Sequence, residues 1–320
     1  MDFSAADSRM AGPGRQQTLR HAISCSGTGL HSGSAVNMIL RPAAPDSGIV
    51  FRRTDLGDAA PLIPATIDHV VDDRLCTAIG FRGGPAVATI EHLMAALRGM
   101  GVDNAEIAID GPEVPVMDGS AAPFVFLLEC AGLAVQPAPR RAIEVLRPVS
   151  VAKDGAEATL VPGIGFAAGC DIDFASRAIG RQSLTVTLVN GTFKTDIARA
   201  RTFGFAHEVD RLRAAGLARG GSLDNAVVVA GDTVLNDDGL RWTDEFVRHK
   251  ILDSIGDLYL AGAPIIGRFH GYRSGHALNH LLVRTLLADR TSWRWTGTGG
   301  ADMSAGAAAP AAAAAAPATL

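Results

Sequence analysis

The sequence predicts an α+β fold of two similar layered domains, each with a sheet packed against helices. Strand-like runs with a period of two alternate with a few helical runs along the chain. Each half also ends in the same order of helix, strand and helix. These runs lie at 90–98, 104–109 and 120–131 in the first half, and at 243–262, 265–271 and 277–289 in the second. An active site at the interface between the domains is the natural expectation.

The local composition predicts where the domains and the disordered ends begin and end. The segment AVQPAPRR (134–141) is typical of a linker and divides domain I (15–135) from domain II (141–296). Small polar residues at 1–14 and a low-complexity Ala/Pro tail at 297–320 predict two disordered ends.

The first half begins with β structure. Two strands and a turn are predicted in QQTLRHAISCSGTGLHSGSAVNMILRPA, followed by strand patterns in SGIVFRRTDLG and PLIPATIDHVV. A helix that ends at a glycine is predicted for TIEHLMAALRGMG (89–101). A strand, DNAEIAIDG, and a second helix, SAAPFVFLLECAG, complete this half.

The second half repeats this plan. Strands are predicted in RAIEVLRPVSVAKDG, EATLVPG and RQSLTVTLV, and a long helix in WTDEFVRHKILDSIGDLYLAG (242–262). The strand PIIGRFHGYRSG and the helix HALNHLLVRTLLADR follow.

The bulk composition excludes several classes of protein. The 320 residues are 48% hydrophobic and 19% charged with a net charge of −4, and basic residues are not clustered as nucleic-acid binding requires. Four scattered cysteines without a CxxC pair argue against a disulfide framework and favour a reducing compartment. The absence of a signal-peptide core and of a run of roughly twenty apolar residues predicts a cytoplasmic protein without stable membrane insertion.

A polar row on the long helix is the first candidate site. His249, Asp253 and Asp257 are spaced by four residues, which places them on one helical face beside apolar residues. An i, i+4 His/Asp pair is usually a surface contact. The apolar flanks favour a metal instead, because two side chains one turn apart converge on one ion.

A second candidate is the pair Glu91–His92 on the first helix. Alone it is typical of a capping or solvated pair, but it also suits a metal ligand, His92, beside a general base, Glu91, that activates water. With His249 and Asp253 it gives three nitrogen and oxygen ligands and leaves a fourth position open, as in catalytic zinc sites. Fe²⁺ accepts the same ligands.

Two further segments could complete an active site. His276 follows a glycine at a strand-to-helix turn, and Asp257 could orient its ring and favour the imidazolium, which would make it a general acid. Thr202, in ARARTFGFAHE, could donate a hydrogen bond to an oxyanion. By themselves a histidine at a helix N-terminus and a buried threonine also fit purely structural roles.

Taken together, the motifs resemble those of the zinc-dependent UDP-3-O-acyl-N-acetylglucosamine deacetylases of Gram-negative bacteria, hydrolases that commit the pathway to lipid A. The resemblance covers about residues 15 to 290 in the same order. The matching motifs are QTL and SGTGLHSG (17–33), TIEHLMAAL (89–97), NAEIAIDGPEVPVMDGSAAPF (104–124), ARTFGF (200–205), GGSLDNAVVV (220–229), and FVRHKILDSIGDLYLAG with GRFHGYRSGHALNH (246–280).

The resemblance implies a role for each candidate residue. His92, His249 and Asp253 would bind Zn²⁺, with Fe²⁺ as the alternative ion in the cell. The residues implied around the metal are Glu91 as general base, His276 as acid or electrostatic partner, Asp257 as its orienter, Thr202 as oxyanion donor, and Lys250 and Phe203 as substrate contacts.

The resemblance also implies the fold and the substrate. Each of the two domains would carry a small insert, at about 48–80 in the first and at about 206–229 in the second. The second insert would build a tunnel for the acyl chain of a UDP-sugar whose N-acetyl group is released as acetate. The exposed C-terminal tail is a candidate target for a regulatory protease.

Two alternatives stay open on the sequence. The chain could be a metal-dependent amidase that acts on another acetylated sugar or peptide. It could also be a non-catalytic binding module of the same fold, although the joint presence of Glu91, His276 and the three ligands argues against that.

Overall fold

The computed structural model describes residues 14–57, 59–189 and 191–297. Both predicted disordered ends, 1–14 and 297–320, therefore lie outside the described residues except for Gly14 and Gly297.

The first half contains ten strands and two α-helices among its described residues. In chain order they are β1 (Arg15–Leu19), β2 (Ile23–Thr28), β3 (Ala35–Pro42), β4 (Ile49–Arg53), β5 (Ile63–Pro64), β6 (Val70–Asp72), β7 (Ala78–Gly80), β8 (Ala86–Val87), α1 (Glu91–Met100), β9 (Ala105–Ile109), α2 (Ala122–Ala131) and β10 (Leu133–Pro139).

The second half contains ten strands and three α-helices within the described part. They are β11 (Ala142–Val145), β12 (Val149–Lys153), β13 (Ala156–Val161), β14 (Phe166–Asp173), β15 (Arg181–Thr187), β16 (Phe203–Phe205), α3 (Ala206–Ala214), β17 (Val227–Ala230), β18 (Thr233–Val234), α4 (Glu245–Tyr259), β19 (Ile265–Tyr272), α5 (His276–Ala288) and β20 (Trp293–Thr296).

The main sheets of the two halves share one topology. The first has the strand order β2-β3-β9-β4-β5, and the second repeats it as β12-β13-β19-β14-β15, with β11 and β20 added at the start of β19. In both, the central strand is antiparallel to its earlier neighbour and parallel to its later one. A helix precedes and another follows each central strand. The predicted α+β fold of two similar layered units is therefore confirmed.

The segment predicted as a linker is mostly a strand. Strand β10 occupies 133–139 and pairs antiparallel with β1. Because β1 is a separate strand, the region 15–42 holds three strands where the pattern predicted two. Its prolines argued against a strand, but a two-stranded ribbon has open edges where a missing N–H costs little. The domain bounds 15–135 and 141–296 stay predictions.

Two small sheets stand apart from the main ones. Strands β6, β7 and β8 form one, and β16, β17 and β18 form the other. The first overlaps only in part with the insert predicted at 48–80, because β4 belongs to the main sheet. The second flanks α3 and encloses most of the segment 206–229.

Helices α1 and α4 pack against each other and join the two halves. Gly256 lies at their crossing, where a Cβ atom would stand 2.1 Å from the backbone oxygen of Glu91. Any side chain there would force the helices apart, so the absence of a Cβ permits the approach. Helix α4, predicted at 242–262, begins at Glu245 and ends at Tyr259. No helix in the described residues has the length and apolar character to cross a bilayer.

Candidate metal centre and active site

Three side chains converge where α1 crosses α4. His92 comes from the first turn of α1, while His249 and Asp253 lie one turn apart on α4. Their ligand atoms all lie within 4.8 Å of one another. All three side chains are buried, with exposed fractions of 3%, 3% and 4%. The sequence predicted this convergence from the spacing on α4 and from the pair at 91–92.

One carboxylate oxygen of Asp253 indicates which kind of ligand these three side chains suit. Its Oδ1 is buried without a hydrogen-bond partner, 3.2 Å from Nε2 of His249 and 3.6 Å from Nε2 of His92. A buried, unpartnered carboxylate oxygen is costly. Two imidazole nitrogens and one carboxylate oxygen are a usual ligand set for a divalent transition metal. The residues present therefore fit a metal ion.

Neighbouring groups prepare His249 as a ligand. Its Nδ1–H donates to the carbonyl oxygen of Ala200 at 3.0 Å, which leaves the lone pair of Nε2 facing Asp253. Burial lowers the pKa of His249 to about 4, so the ring is neutral at physiological pH, as a metal ligand must be.

Glu91 lies beside this cluster as the first residue of α1. Its Oε2 accepts a hydrogen bond from the backbone N–H of Thr77 at 3.0 Å, and its Oε1 lies 4.0 Å from Nε2 of His276. Burial raises the pKa of the Glu91 carboxyl. A carboxylate held in this way, next to a candidate metal site, suits proton transfer.

His276 and Asp257 form a tight pair on the other side of Glu91. Nδ1 of His276 donates to Oδ2 of Asp257 at 2.9 Å. Burial alone would lower the pKa of His276, but the Asp257 carboxylate outweighs it and raises the pKa to about 9. The same pairing, together with His280, holds the pKa of Asp257 far below its usual range against the effect of burial. The imidazolium is therefore the favoured form at neutral pH.

Sequence reasoning missed three residues around Asp257. Thr77 donates its hydroxyl to Oδ1 at 2.6 Å, Asn279 donates its amide to Oδ2 at 2.9 Å, and Nε2 of His280 lies 3.3 Å from Oδ1. Asn279 and His280 follow His276 by three and four positions on α5, a spacing that could have flagged them. Thr77 belongs to a distant loop and leaves no such signal.

Lys250 and Thr202 line the space beside the cluster. The ammonium of Lys250, implied by the resemblance as a substrate contact, donates to Oδ2 of Asp253 at 2.9 Å, and its side chain lines the cavity. Backbone hydrogen bonds to Gly119 and Val227 fix Thr202 at the start of β16. The preceding residue, Arg201, is held in place by the fully buried Glu245, which accepts hydrogen bonds from its backbone N–H and its guanidinium group.

A cavity of about 580 Å³ extends from the cluster. Its walls include Glu91, His92 and His276 together with apolar side chains of the segment 203–229. Phe203 lines it and packs edge-on against Phe246 at 5.0 Å between ring centroids. Besides Phe203, the apolar part of the wall consists of Leu30, Leu75, Phe174, Phe205, Val209, Leu212, Ala218, Leu223, Ala226 and Val228.

Comparison with known proteins gives one consistent result. A family model described as UDP-3-O-acyl N-acetylglycosamine deacetylase matches residues 16–288. The UDP-3-O-acyl-N-acetylglucosamine deacetylase of Phenylobacterium zucineum (strain HLK1) is 50% identical over 279 residues, 87% of this chain and 95% of that protein. The protein of the same name from Myxococcus xanthus (strain DK1622) is 52% identical over 275 residues, 86% of this chain and 87% of the relative. That from Acidithiobacillus ferrooxidans (strain ATCC 53993 / BNL-5-31) is 51% identical over 283 residues, 88% and 92% of the two chains.

Proposed function

The chain belongs to the UDP-3-O-acyl N-acetylglycosamine deacetylase family, and from this premise we propose that it is a zinc-dependent deacetylase. The reaction is hydrolysis of the N-acetyl group of UDP-3-O-(3-hydroxyacyl)-N-acetylglucosamine. The products are acetate and a free glucosamine amine, and the step commits the pathway to lipid A.

The observation that carries the proposal is the unpartnered Oδ1 of Asp253 between two imidazole nitrogens. His92, His249 and Asp253 would hold the ion. Zn²⁺ suits this mixed nitrogen and oxygen set, and Fe²⁺ is the alternative that metal analysis distinguishes. When bound, the metal supplies Lewis acidity that polarises an amide carbonyl and acidifies water.

The residues around the cluster then divide the proton transfers. Glu91 takes a proton from the attacking water through its carboxylate. The hydroxyl of Thr202 donates a hydrogen bond to the carbonyl oxygen as that oxygen gains charge. His276 delivers a proton from Nε2 to the amide nitrogen as the C–N bond breaks, because without this proton the nitrogen would have to leave as a strongly basic R–NH⁻ anion. Asp257 keeps His276 protonated and oriented for this step.

The shape and charge of the cavity support an acylated substrate. Its apolar wall along 203–229, with Phe203 near the cluster, suits a fatty acyl chain, because burial of each CH₂ group contributes about 0.8 kcal/mol. Lys250 brings a positive charge to the same wall, where it would contact polar groups of the sugar.

One assay tests this function against its two alternatives. Acetate release should be followed with the full UDP-3-O-acyl substrate, with a substrate that lacks the acyl chain, and with one that lacks UDP, together with the metal content of the protein. We expect bound zinc and a much lower kcat/KM for both truncated substrates. Equal rates on all three would identify a general amidase, and no acetate release from a metal-loaded protein would identify a binding module.

A further inference from the structure

Thr77 lies in the loop between β6 and β7 and touches both carboxylates proposed to act in the proton transfers. Its exposed fraction is 0%, and it does not line the cavity. It therefore cannot contact the substrate, and any role in the reaction must act through its neighbours.

The polar groups of Thr77 contact α4, α5 and the residues at the start of α1, and its hydroxyl oxygen lies 3.4 Å from Nδ1 of His276. Its backbone N–H donates to Oε2 of Glu91 at 3.0 Å, and its carbonyl oxygen accepts from the N–H of Ile90 at 3.2 Å. Its hydroxyl donates to Oδ1 of Asp257 at 2.6 Å. A single residue thus joins the two carboxylates, which come from different helices.

The same loop reaches α5 at a second point. Nδ1 of His280 lies 3.5 Å from a carboxylate oxygen of Asp73, and its Nε2 lies 3.3 Å from the hydroxyl oxygen of Thr77. Because the hydroxyl donates its one proton to Asp257, its oxygen lone pairs are free to accept a hydrogen bond from His280. Residues 73–77 therefore hold His280 from both ends.

We propose that Thr77 is a positioning residue for the deacetylation, fixing Glu91 and the Asp257–His276 pair relative to each other. This inference rests on the function proposed above. Glu91 Oε1 and His276 Nε2 lie 4.0 Å apart, and both must reach one small reacting group. Misplacement by about 1 Å can reduce the rate of an enzyme about a hundredfold.

The hydroxyl also sets how much of the Asp257 charge acts on His276. A hydrogen bond donated to a carboxylate withdraws part of its charge from its other partners. Loss of the Thr77 donor should therefore strengthen the effect of Asp257 on the imidazolium, while the geometry loosens. The other ionisable groups around His276 are Glu91, His92, Asp253 and His280. A substitution of the Thr77 side chain keeps the backbone hydrogen bond to Glu91 but removes the contact of the hydroxyl with His280.

The test compares T77V, which removes the hydroxyl at similar volume, with T77S, which keeps it. T77V should lower kcat about ten- to hundredfold, the factor for one hydrogen bond to a charged group, with little change in KM. T77S should recover kcat to within about threefold of the wild type, since the donor to Asp257 remains. If valine is not tolerated at this buried site, T77A removes the hydroxyl with less volume.

The matched control is T18V, which removes another buried threonine hydroxyl, one that donates to the carbonyl of Asn104 at 2.7 Å. T18V should lower Tm without changing kcat. A T77V enzyme with the kcat of the wild type, or a T77S enzyme as slow as T77V, would overturn the proposal.

A histidine titration followed by NMR separates this inference from the proposed function. In T77V the His276 ring should titrate at a higher pH than in the wild type, and in T18V it should not move. If the wild type releases no acetate but the His276 titration still shifts upward in T77V, the proposed deacetylase activity is refuted and the positioning role is kept. An unshifted or lowered His276 titration in T77V would refute the positioning role whatever the activity.

Discussion

Asp253 and Asp257 lie one turn apart on α4 and are both buried, yet their surroundings differ. Asp257 has hydrogen-bond or ionic partners on both oxygens, from Thr77, His276, Asn279 and His280. Asp253 has Lys250 on Oδ2, while its Oδ1 has no hydrogen-bond partner and faces two imidazole nitrogens.

From this difference we infer that one helical face supports two tasks. A carboxylate with an open oxygen among nitrogen lone pairs is suited to bind a cation. A carboxylate saturated by donors is suited to orient one of them, here His276. The same residue type at the same burial therefore takes its role from its neighbours, and substitutions on the two sides should fail in different ways.

The largest effect is expected for H249A, on the Asp253 side. Loss of this imidazole leaves two of the three ligands, so the protein should lose most of its metal and, with it, essentially all acetate release. Metal content and turnover measured on the same sample check this. The control H270A alters a half-exposed histidine outside the cluster and should retain both. Full metal content in active H249A would remove His249 from the ligand set.

D257N comes next, on the saturated side. It should keep the metal but lower kcat about 10²- to 10⁴-fold, the usual loss for an acid–base partner, because His276 loses its orienting charge. The control is D232N, which removes a carboxylate from the exposed ion pair of Asp232 with Arg177 and should leave kcat unchanged. A D257N protein without metal would mean that the two carboxylates do not have separate tasks.

The pH dependence sharpens the comparison further. Since the pKa of His276 is raised to about 9, the alkaline limb of kcat/KM should lie near that pH, and D257N should move it down toward the usual 6.5. The stability gained from protonated His276 is present in full below about 6.5 and is lost as the pH rises through about 9. Thermal unfolding across this range should therefore show a smaller loss in D257N. A limb that stays in place in D257N would contradict the pairing.

The smallest effect is expected for N279A. It removes one of the donors to Asp257, so kcat should fall only about three- to tenfold, as for a single net hydrogen bond. The alkaline limb should move slightly upward, opposite to D257N, because more of the Asp257 charge then acts on His276. A pH titration of the two variants side by side checks the sign, and a downward shift in N279A would contradict the account.

Local spacing allowed part of this site to be predicted from the sequence. Residues four apart on a helix share a face, so His249, Asp253 and Asp257 could be grouped before the fold was known. The repeated order of helix, strand and helix likewise predicted two similar layered units. Both inferences depend on periodicity, which a single sequence carries.

Contacts between distant segments could not be predicted in this way. Thr77 is 180 positions from Asp257, and no periodicity relates the two. The prolines at 137 and 139 suggested a linker. The strand β10 forms there because it pairs with β1, a partner far along the chain that the local pattern does not reveal. The ion pair of Lys250 with Asp253 also depends on a choice of rotamer that residue spacing does not fix.

The most direct test of the two tasks is metal analysis of D253A and D257A, purified in parallel with the wild type and assayed for acetate release. The account predicts that D253A loses both metal and activity, while D257A keeps about the metal content of the wild type and loses only activity. Equal metal loss in both variants, or full metal retention in D253A, would contradict it.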